Sequence, residues 1–577
     1  MMIEELIRKH ALINAIKHGG KAQSGAVLGK ILAERQELKS RVKELAAVVN
    51  RIVKEVNALP PSEQKRIADE MGLEIVERER AEEKKLPPLP NVEKYQTVVT
   101  RFSPNPDCVL HLGSARAIVL SHEYARTYQG KFLLRFEDTD PKLKRPVLEF
   151  YDRIREDLAW LECRPDEEYI QSDRIPIYYE HAERLLKDGN AYVCICQPQV
   201  FREKIIAQQP CPCRNLPPEE HLERWNRMLE GHYGEGEAVV RIKTDLTHPN
   251  PAVRDWPALR VIDTEKFPHP RVGDKYRVWP LYNFACGIDD HLMGVTHIIR
   301  GKEHLTNMTR QEYMYKHLGW QYPESIHYGR LKIKGAHLSK SKIVHGVKSG
   351  LFEGWDDPRL ATFAALRRRG ITPEAIKKLI IDVGPKTADI VLSWENLYAH
   401  NRKILDPEVN RYFFVPSPIQ LTVSGVPRFF TAKVRLHPDY PQRGYREYSI
   451  QPSGEDRTAL FWISKNDVEN FDAGRIIRLM ELFNIRIEKI ESYAVEAVFE
   501  SESYQDARKE EAPLIHWVPI GADIPCQVVM PNATRIDGVA EIACRALNPG
   551  KIVQFERFGF VRIDDVGVKL KAYYAHK

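Results

Sequence analysis

The sequence predicts a multidomain protein with an α/β core, an all-β C-terminal region and a helical N-terminal extension. Three observations carry that prediction. At 577 residues the chain is long enough for three or four domains. Between about 96 and 138 short strands alternate with a helix, the texture of a parallel sheet with right-handed crossovers. Beyond about 405, short β-type runs broken by Pro and Gly dominate, which suggests one or two β-barrels. The 86 Lys and Arg against 80 Asp and Glu leave a net charge of only +6. This excludes a polybasic coat, although a pI of about 8.6 is compatible with an anionic partner. No apolar run approaches the ~20 residues of a membrane-spanning helix. Met1-Met2-Ile3-Glu4-Glu5 lacks the pattern of a secretory signal. Nine cysteines, four of them clustered, point to a reducing compartment and a metal. A cytoplasmic protein is expected.

In chain order, residues 1 to about 85 read as helical. Apolar residues recur at three- and four-residue spacing (Leu45, Val49, Ile52 and Val56 after Leu32, Leu38 and Val42), with charges between them. Leu86-Pro87-Pro88-Leu89-Pro90 breaks the pattern as a linker would. Gln96 to Phe102 reads as a strand, Ser114 to Tyr128 as a helix, Gln129-Gly130 as a turn and Lys131 to Asp138 as a second strand. From about 190 to 275 the chain is Pro-rich, Cys-bearing and irregular, as in an inserted domain, and βα texture resumes from Tyr276 to about 345. Helices are expected over Ala361 to Arg369 and Pro373 to Val383. In the β-rich end, Lys551 to Phe555 and Gly559 to Ile563 read as strands. Gly474 to Phe483 and the stretch around Ala540 read as its few helices.

Three clusters could carry chemistry. The loop Arg101-Phe102-Ser103-Pro104-Asn105-Pro106-Asp107-Cys108-Val109-Leu110-His111-Leu112-Gly113-Ser114 leaves a strand and opens a helix, where backbone N–H groups and the helix dipole favour an anion. His111 can donate to phosphate oxygens, and Gly113 lets the backbone come close to a nucleotide. Taken alone, the same residues describe a Pro-stiffened turn with a surface histidine. Leu338-Ser339-Lys340-Ser341-Lys342 can place a point charge on phosphates, although an isolated run of this kind is more often a solvated loop. Cys194-x-Cys196 is followed, after fourteen residues, by Cys211-x-Cys213. Four thiolates in two pairs would complete a tetrahedral zinc site that pins the insert. Without a metal they would be reduced, buried cysteines.

Order, spacing and flanking residues together resemble a class I aminoacyl-tRNA synthetase, a glutamyl-tRNA synthetase of the archaeal/eukaryotic type. His111-Leu112-Gly113-Ser114 looks like the HIGH motif and His337-Leu338-Ser339-Lys340-Ser341 like the KMSKS motif. Arg135-Phe136-Glu137-Asp138-Thr139-Asp140-Pro141 and the segment from Asp289 to Gly301 are similar to two further family segments, and the resemblance runs from about 94 to the C-terminus. Three positions depart from the pattern: Ser114 replaces the second His of HIGH, His337 the first Lys of KMSKS, and Cys108 a common Gly.

The resemblance implies a Rossmann-type catalytic core in two halves (91–190 and 276–345) around an acceptor-stem-binding insert (191–275). A helical stem-contact region (346–404) and an anticodon-binding β-barrel region (405–577) would follow, with the N-terminal helical extension at 1–90. It also implies ATP with Mg2+, L-glutamate and tRNA-Glu as substrates. Catalytic positions would be His111, Gly113, Ser114 and Lys340. ATP would meet these together with Pro104, Asn105, Leu338, Ser339 and Ser341. Glutamate would meet Arg101, Ser103, Glu137, Tyr282 and Arg300, since a guanidinium fork matches a carboxylate in two-point geometry. Zinc on Cys194, Cys196, Cys211 and Cys213 is implied for some relatives and not others. Glutamine–tRNA ligases, the nearest relatives, carry a non-basic residue at the place of Arg300. A non-catalytic tRNA-binding paralogue would have no need of intact His111, Gly113 and Lys340. Charging of tRNA-Gln stays open, as does docking of a protein partner on the N-terminal helices. The aromatic and Arg residues of the β-rich end (Tyr412, Arg446, Trp517, Phe555, Arg557, Phe558) suit base stacking, but most are expected in barrel cores.

Overall fold

The computed structural model describes residues 3–17, 20–35, 38, 41–71, 73, 84–335 and 340–577. The chain forms two compact units, Met1–Lys85 and Leu86–Lys577. The described residues of the first contain four helices, α1 (Ile3–Lys17), α2 (Ser24–Glu34), α3 (Val42–Ala58) and α4 (Pro61–Glu70). Their shared core takes Leu6, Ile7, Leu12, Val27 and Ile31 together with the Leu45-Val49-Ile52-Val56 stripe of α3. Buried Gln64 closes the unit by donating from its amide to the carbonyls of Gly20, Val56 and Leu59.

The second unit begins with β1 (Val99–Phe102), α5 (Ala115–Thr127), β2 (Lys131–Phe136), α6 (Leu148–Trp160), β3 (Glu167–Ile170) and α7 (Ile175–Lys187). β1, β2 and β3 pair in parallel. Continuous apolar strands flanked by helices are what a parallel sheet covered on both faces requires. The chain then leaves the sheet for β4 (Ala191–Cys194), α8 (Pro198–Ile206), α9 (Pro218–Leu229), β5 (Val239–Ile242), β6 (Pro257–Val261) and β7 (Val278–Pro280). The expected irregular insert is therefore built on a four-stranded antiparallel meander. The core resumes with α10 (Tyr282–Leu292), β8 (His297–Gly301), α11 (Leu305–Leu318) and β9 (Glu324–Tyr328). β8 and β9 pair in parallel. Thr296 joins them to the first half, its N–H donating to Val99 O (2.9 Å) while its Oγ1 accepts from Val99 N–H (2.8 Å). The carboxyl ends of β1, β2 and β8 thus open on one side, where open parallel sheets hold ligands.

β10 (Leu331–Ile333) precedes α12 (Lys340–Lys348), α13 (Phe363–Arg369), α14 (Pro373–Val383), β11 (Ile390–Leu392) and α15 (Trp394–Glu408). Thr362 and Thr372 cap α13 and α14 by accepting from Ala365 N–H and Ala375 N–H.

Two seven-stranded sheets follow. In one, Arg411–Tyr412 pairs with Ile552–Phe555 at one edge and Phe414–Pro416 with Arg535–Glu541 at the other. In the second, Leu514–Ile515 pairs with Ile476–Leu479 and Val518–Pro519 with Ala459–Ser464. Each sheet therefore curls until its two edges are halves of one short segment, which removes exposed edges as the expected barrels would. Trp517 and Phe555 are fully buried and Tyr412 nearly so, in keeping with their reading as core.

Two helix expectations are corrected here. Ile476–Leu479 is a strand paired with Asn484–Ile490, and Arg535–Glu541 is a strand followed only by a short 3-10 turn at Ile542–Ala546. In the first case β-branched Ile477 faces the core of a closed sheet, and non-local pairing overrides the short apparent helical spacing.

Candidate active site

The open side of the core holds a cleft of about 640 Å³, lined by the ends of β1, β2 and β8, the start of α10 and residues of the insert. Of the residues expected to meet glutamate, Arg101, Ser103, Glu137, Tyr282 and Arg300 all line it, and so does Asn105 from the expected nucleotide set.

The charge deep in the cleft is set by a buried group of arginines and acids, Arg101, Arg135, Arg300, Asp290 and Glu137. Arg101, at the third position of β1, makes a two-point bridge to Asp290 (Nε to Oδ1 3.0 Å, Nη2 to Oδ2 3.3 Å). Arg135 on β2 donates to Asp290 Oδ1 (2.8 Å) and to Glu137 Oε1 (3.1 Å). Burial opposes ionisation of Asp290, but the Arg101 and Arg135 guanidiniums overcome it and hold the carboxyl well below the usual range. At Glu137 burial wins, and the carboxyl is pushed up despite Arg135 and Arg101. An ammonium group beside Glu137 would restore its charge.

Arg300 differs. It is 5% exposed, and its partners are all uncharged: Gln311 Oε1 (3.3 Å from both Nη1 and Nη2), Tyr322 Oη (2.9 Å) and His327 Nε2 (3.4 Å). Burial, reinforced by the Arg300 charge, holds His304 and His327 down at about 4, so both rings are neutral near pH 7. Among the described residues no carboxylate pairs with Arg300. A buried guanidinium without an anion is costly by several kcal/mol, and a ligand carboxylate would relieve it. Ser103 Oγ and Asn283 Oδ1 are likewise buried without a hydrogen-bond partner at the same cleft.

Beside the cleft, the His111 loop is pinned to the segment before α13: Leu112 N–H donates to Ala361 O (2.8 Å) and Phe363 N–H to Leu110 O (3.2 Å). Gly113 N–H donates to His111 Nδ1 (3.0 Å), which leaves the ring proton on Nε2. Burial first, and the Lys340 charge second, push the His111 pKa down. Ser114 stands at the N-cap position of α5 without a side-chain cap bond. Pro104 contributes its carbonyl, which accepts from Glu137 N–H (2.9 Å). Lys340, the first residue of α12, forms an ion pair with Asp107 and so reaches the same loop. Cys108 keeps a negative φ, so the backbone there makes no demand for glycine. His337, Leu338 and Ser339 lie outside the described residues.

Asp290, Arg135 and Cys286 form the buried hub of the cleft, with Cys286 Sγ 3.1 Å from Arg135 Nη2. Arg135 and Asp290 lie inside the motif-like segments, a signal sufficient to find them. Gln311, Tyr322 and His327 carry no sequence signal, because only the folding of α11, β9 and the connection between them brings them to Arg300.

In the insert, Cys194 at the end of β4 lies 3.9 Å from Cys211 (Sγ to Sγ), and Cys196 lies 3.7 Å from Cys213. The sulfurs of Cys194, Cys196 and Cys213 lie within 4.8 Å of one another. Tetrahedral zinc with bonds of about 2.3 Å spaces its sulfurs by about 3.8 Å, so these three thiols suit that ion, and Cys211 adjoins them through Cys194.

Family models match most of the chain. The model described as "tRNA synthetases class I (E and Q), catalytic domain" matches residues 97–407. Two models described as anti-codon binding domains of the same synthetases match 409–502 and 514–564. A glutamate–tRNA ligase of Pyrococcus abyssi and one of Thermococcus kodakarensis are each 54% identical to the chain, with both partners covered in full. That of Methanothermobacter marburgensis is 46% identical, again over the whole of both. The chain belongs to the class I tRNA synthetases of the glutamate and glutamine type.

Proposed function

We propose that this chain is a glutamate–tRNA ligase, activating L-glutamate with ATP to glutamyl-adenylate and pyrophosphate and transferring the glutamyl group to the 3′ end of tRNA-Glu. The observation that carries the choice of amino acid is Arg300, buried in the cleft with uncharged partners only. The side-chain carboxylate of glutamate supplies the anion that this guanidinium lacks. The neutral amide of glutamine would leave it unpaired, at a cost of roughly 3–5 kcal/mol. Full-length identity to glutamate–tRNA ligases supports the same choice.

In this reading Arg101, Ser103, Glu137, Tyr282 and Arg300 hold glutamate, with Glu137 taking the α-ammonium group. ATP enters as its magnesium complex. It meets Pro104 and Asn105, the His111–Ser114 helix start, and Leu338, Ser339, Lys340 and Ser341. An oxygen of the α-carboxylate attacks the α-phosphorus and the bond to pyrophosphate breaks. His111, donating from Nε2, and Lys340, exchanging Asp107 for the triphosphate, neutralise the charge that builds up. A ribose hydroxyl of the tRNA end then attacks the acyl carbon and AMP leaves. No protein nucleophile is needed, and the rate comes from positioning and charge stabilisation.

We assign acceptor-end binding to 191–275, stem contacts to 346–404 and anticodon reading to 405–577. The core halves are 91–190 and 276–345, and 1–90 is the helical extension. Zinc on Cys194, Cys196, Cys211 and Cys213 would cross-link the insert and take no part in the chemistry. All nine cysteines are free thiols, and among the described residues no helix is long and apolar enough to cross a membrane.

The test is aminoacylation with ATP and labelled glutamate or glutamine, using purified tRNA-Glu and tRNA-Gln in separate reactions. Glutamate on tRNA-Glu is expected. Glutamate also on tRNA-Gln would define a ligase that does not discriminate between the two tRNAs. Glutamine on tRNA-Gln would overturn the reading of Arg300.

A further inference from the structure

Two arginines face the same cleft with opposite electrostatic arrangements. Arg101 is compensated by the two-point bridge to Asp290, while the side chain that meets both Nη atoms of the Arg300 fork is an amide, Gln311. Gln311 sits on α11 and is fully buried. Its Oε1 accepts from both Arg300 Nη atoms and from Tyr322 Oη (2.8 Å), and its Nε2 donates to Asn283 O (3.3 Å). These bonds fix the amide orientation, since a flipped amide would set NH2 against the guanidinium. A carboxylate at this position would have nearly the same shape and would sit 3.3 Å from both guanidinium nitrogens, a distance at which it would neutralise them.

We propose that Gln311 is a specificity-determining positioning residue: its uncharged amide holds the Arg300 fork in place while leaving the positive charge uncompensated, so that only a substrate carboxylate completes the pair. This rests on the glutamate–tRNA ligase reading. Tyr322 and His327 belong to the same uncharged clamp. Glu303 also lines the cleft, but among the described residues it forms no ion pair with Arg300. Selectivity for glutamate thus depends on the charge of the arginine and equally on the absence of charge in what holds it.

The test compares the full-length wild type with Gln311→Glu and Gln311→Met in steady-state aminoacylation of tRNA-Glu. It reads kcat, the KM for glutamate, the KM for ATP and inhibition by glutamine. Gln311→Glu keeps the shape and adds an internal carboxylate, so the glutamate KM should rise about 10- to 100-fold, the effect of losing a charge-assisted pair. The ATP KM should stay unchanged, and the preference for glutamate over glutamine should fall. Gln311→Met removes the hydrogen bonds but leaves Arg300 uncompensated, so discrimination against glutamine should persist even if kcat falls.

A wild-type glutamate KM in Gln311→Glu would overturn the proposal. So would equal loss of discrimination in both variants, which would make Gln311 a structural brace. Thermal melting and tRNA affinity report whether each variant is folded. If Gln311→Glu does not fold, Gln311→Met alone decides, because the proposal requires it to keep rejecting glutamine. A wild type that charges no glutamate at all would be a failure of the functional reading, visible before any variant is made.

Discussion

A Cβ on Gly113 would lie 2.7 Å from His111 Cε1 and 2.9 Å from its Nδ1, so this glycine is required by the close approach of a ring and not by a left-handed backbone. Gly113→Ala must push the imidazole off the Gly113 N–H that fixes its tautomer. Overpacking of this kind costs about 1–3 kcal/mol, so ATP–pyrophosphate exchange in the presence of tRNA should fall roughly 10- to 100-fold. The glutamate KM should be unaffected, because Arg300 and Tyr282 are on other elements. Unchanged exchange would remove His111 from the phosphate site. At this scale the sequence was informative wherever a residue sat inside a motif-like segment, as Arg101, Glu137 and Arg300 do. It was silent on Gln311, Tyr322 and His327, whose only distinction is where α11, β9 and the connection between them place them.

Single elements also carry testable consequences. The four thiols of the insert come from the end of β4 and from the loop between α8 and α9, which share no hydrogen-bonded ladder. A metal is the natural cross-link between two such pieces. Elemental analysis should find one zinc per chain, and Cys213→Ser should lose it. The insert of that variant should become protease-sensitive, with an unfolding temperature lower by at least roughly 4–8 °C, the shift that 1 kcal/mol produces in a domain of about 60–100 residues. Metal-free wild type of unchanged stability would show that the thiols are simply buried. Element type was legible where capping and period agreed. Pro373–Val383 forms the helix expected of it, with Thr372 as cap and Pro373 in the first turn. It was not legible for Gly474–Phe483, where the deciding partner, Asn484–Ile490, acts through pairing that local spacing does not encode.

Across the whole second unit, buried neutral histidines link stability to pH. His516 Nε2 lies 2.7 Å from Phe414 O and so ties the two curled sheets together, while His576 Nε2 accepts from Asn401 Nδ2 (2.9 Å) and ties the C-terminus to α15. Burial holds both rings at about 4. An unfolded histidine titrates near 6.5, so between about 6.5 and 4 the unfolded chain binds more protons and stability falls as pH falls. At pH 5 each ring should withdraw on the order of 2 kcal/mol. Denaturant unfolding at pH 7, 6 and 5 should show this slope, and His516→Gln should reduce it. An identical slope in that variant would place the titration elsewhere.

The sequence by itself determined the class of protein, the order of its α/β and β-rich regions, and five of the residues that line the cleft, Arg101, Ser103, Glu137, Tyr282 and Arg300. Those features are encoded locally, in short segments whose spacing puts a strand end, a glycine and a helix start together. Tertiary structure alone decided which buried arginine is compensated and which is not, because Asp290 and Gln311 reach the cleft from different helices. It likewise decided that each β-rich sheet closes on two halves of one segment, and that Cys194, Cys196 and Cys213 meet within 4.8 Å of one another, with Cys211 beside Cys194. Charge compensation and closure both depend on contacts between residues far apart in the chain, and no local pattern records them.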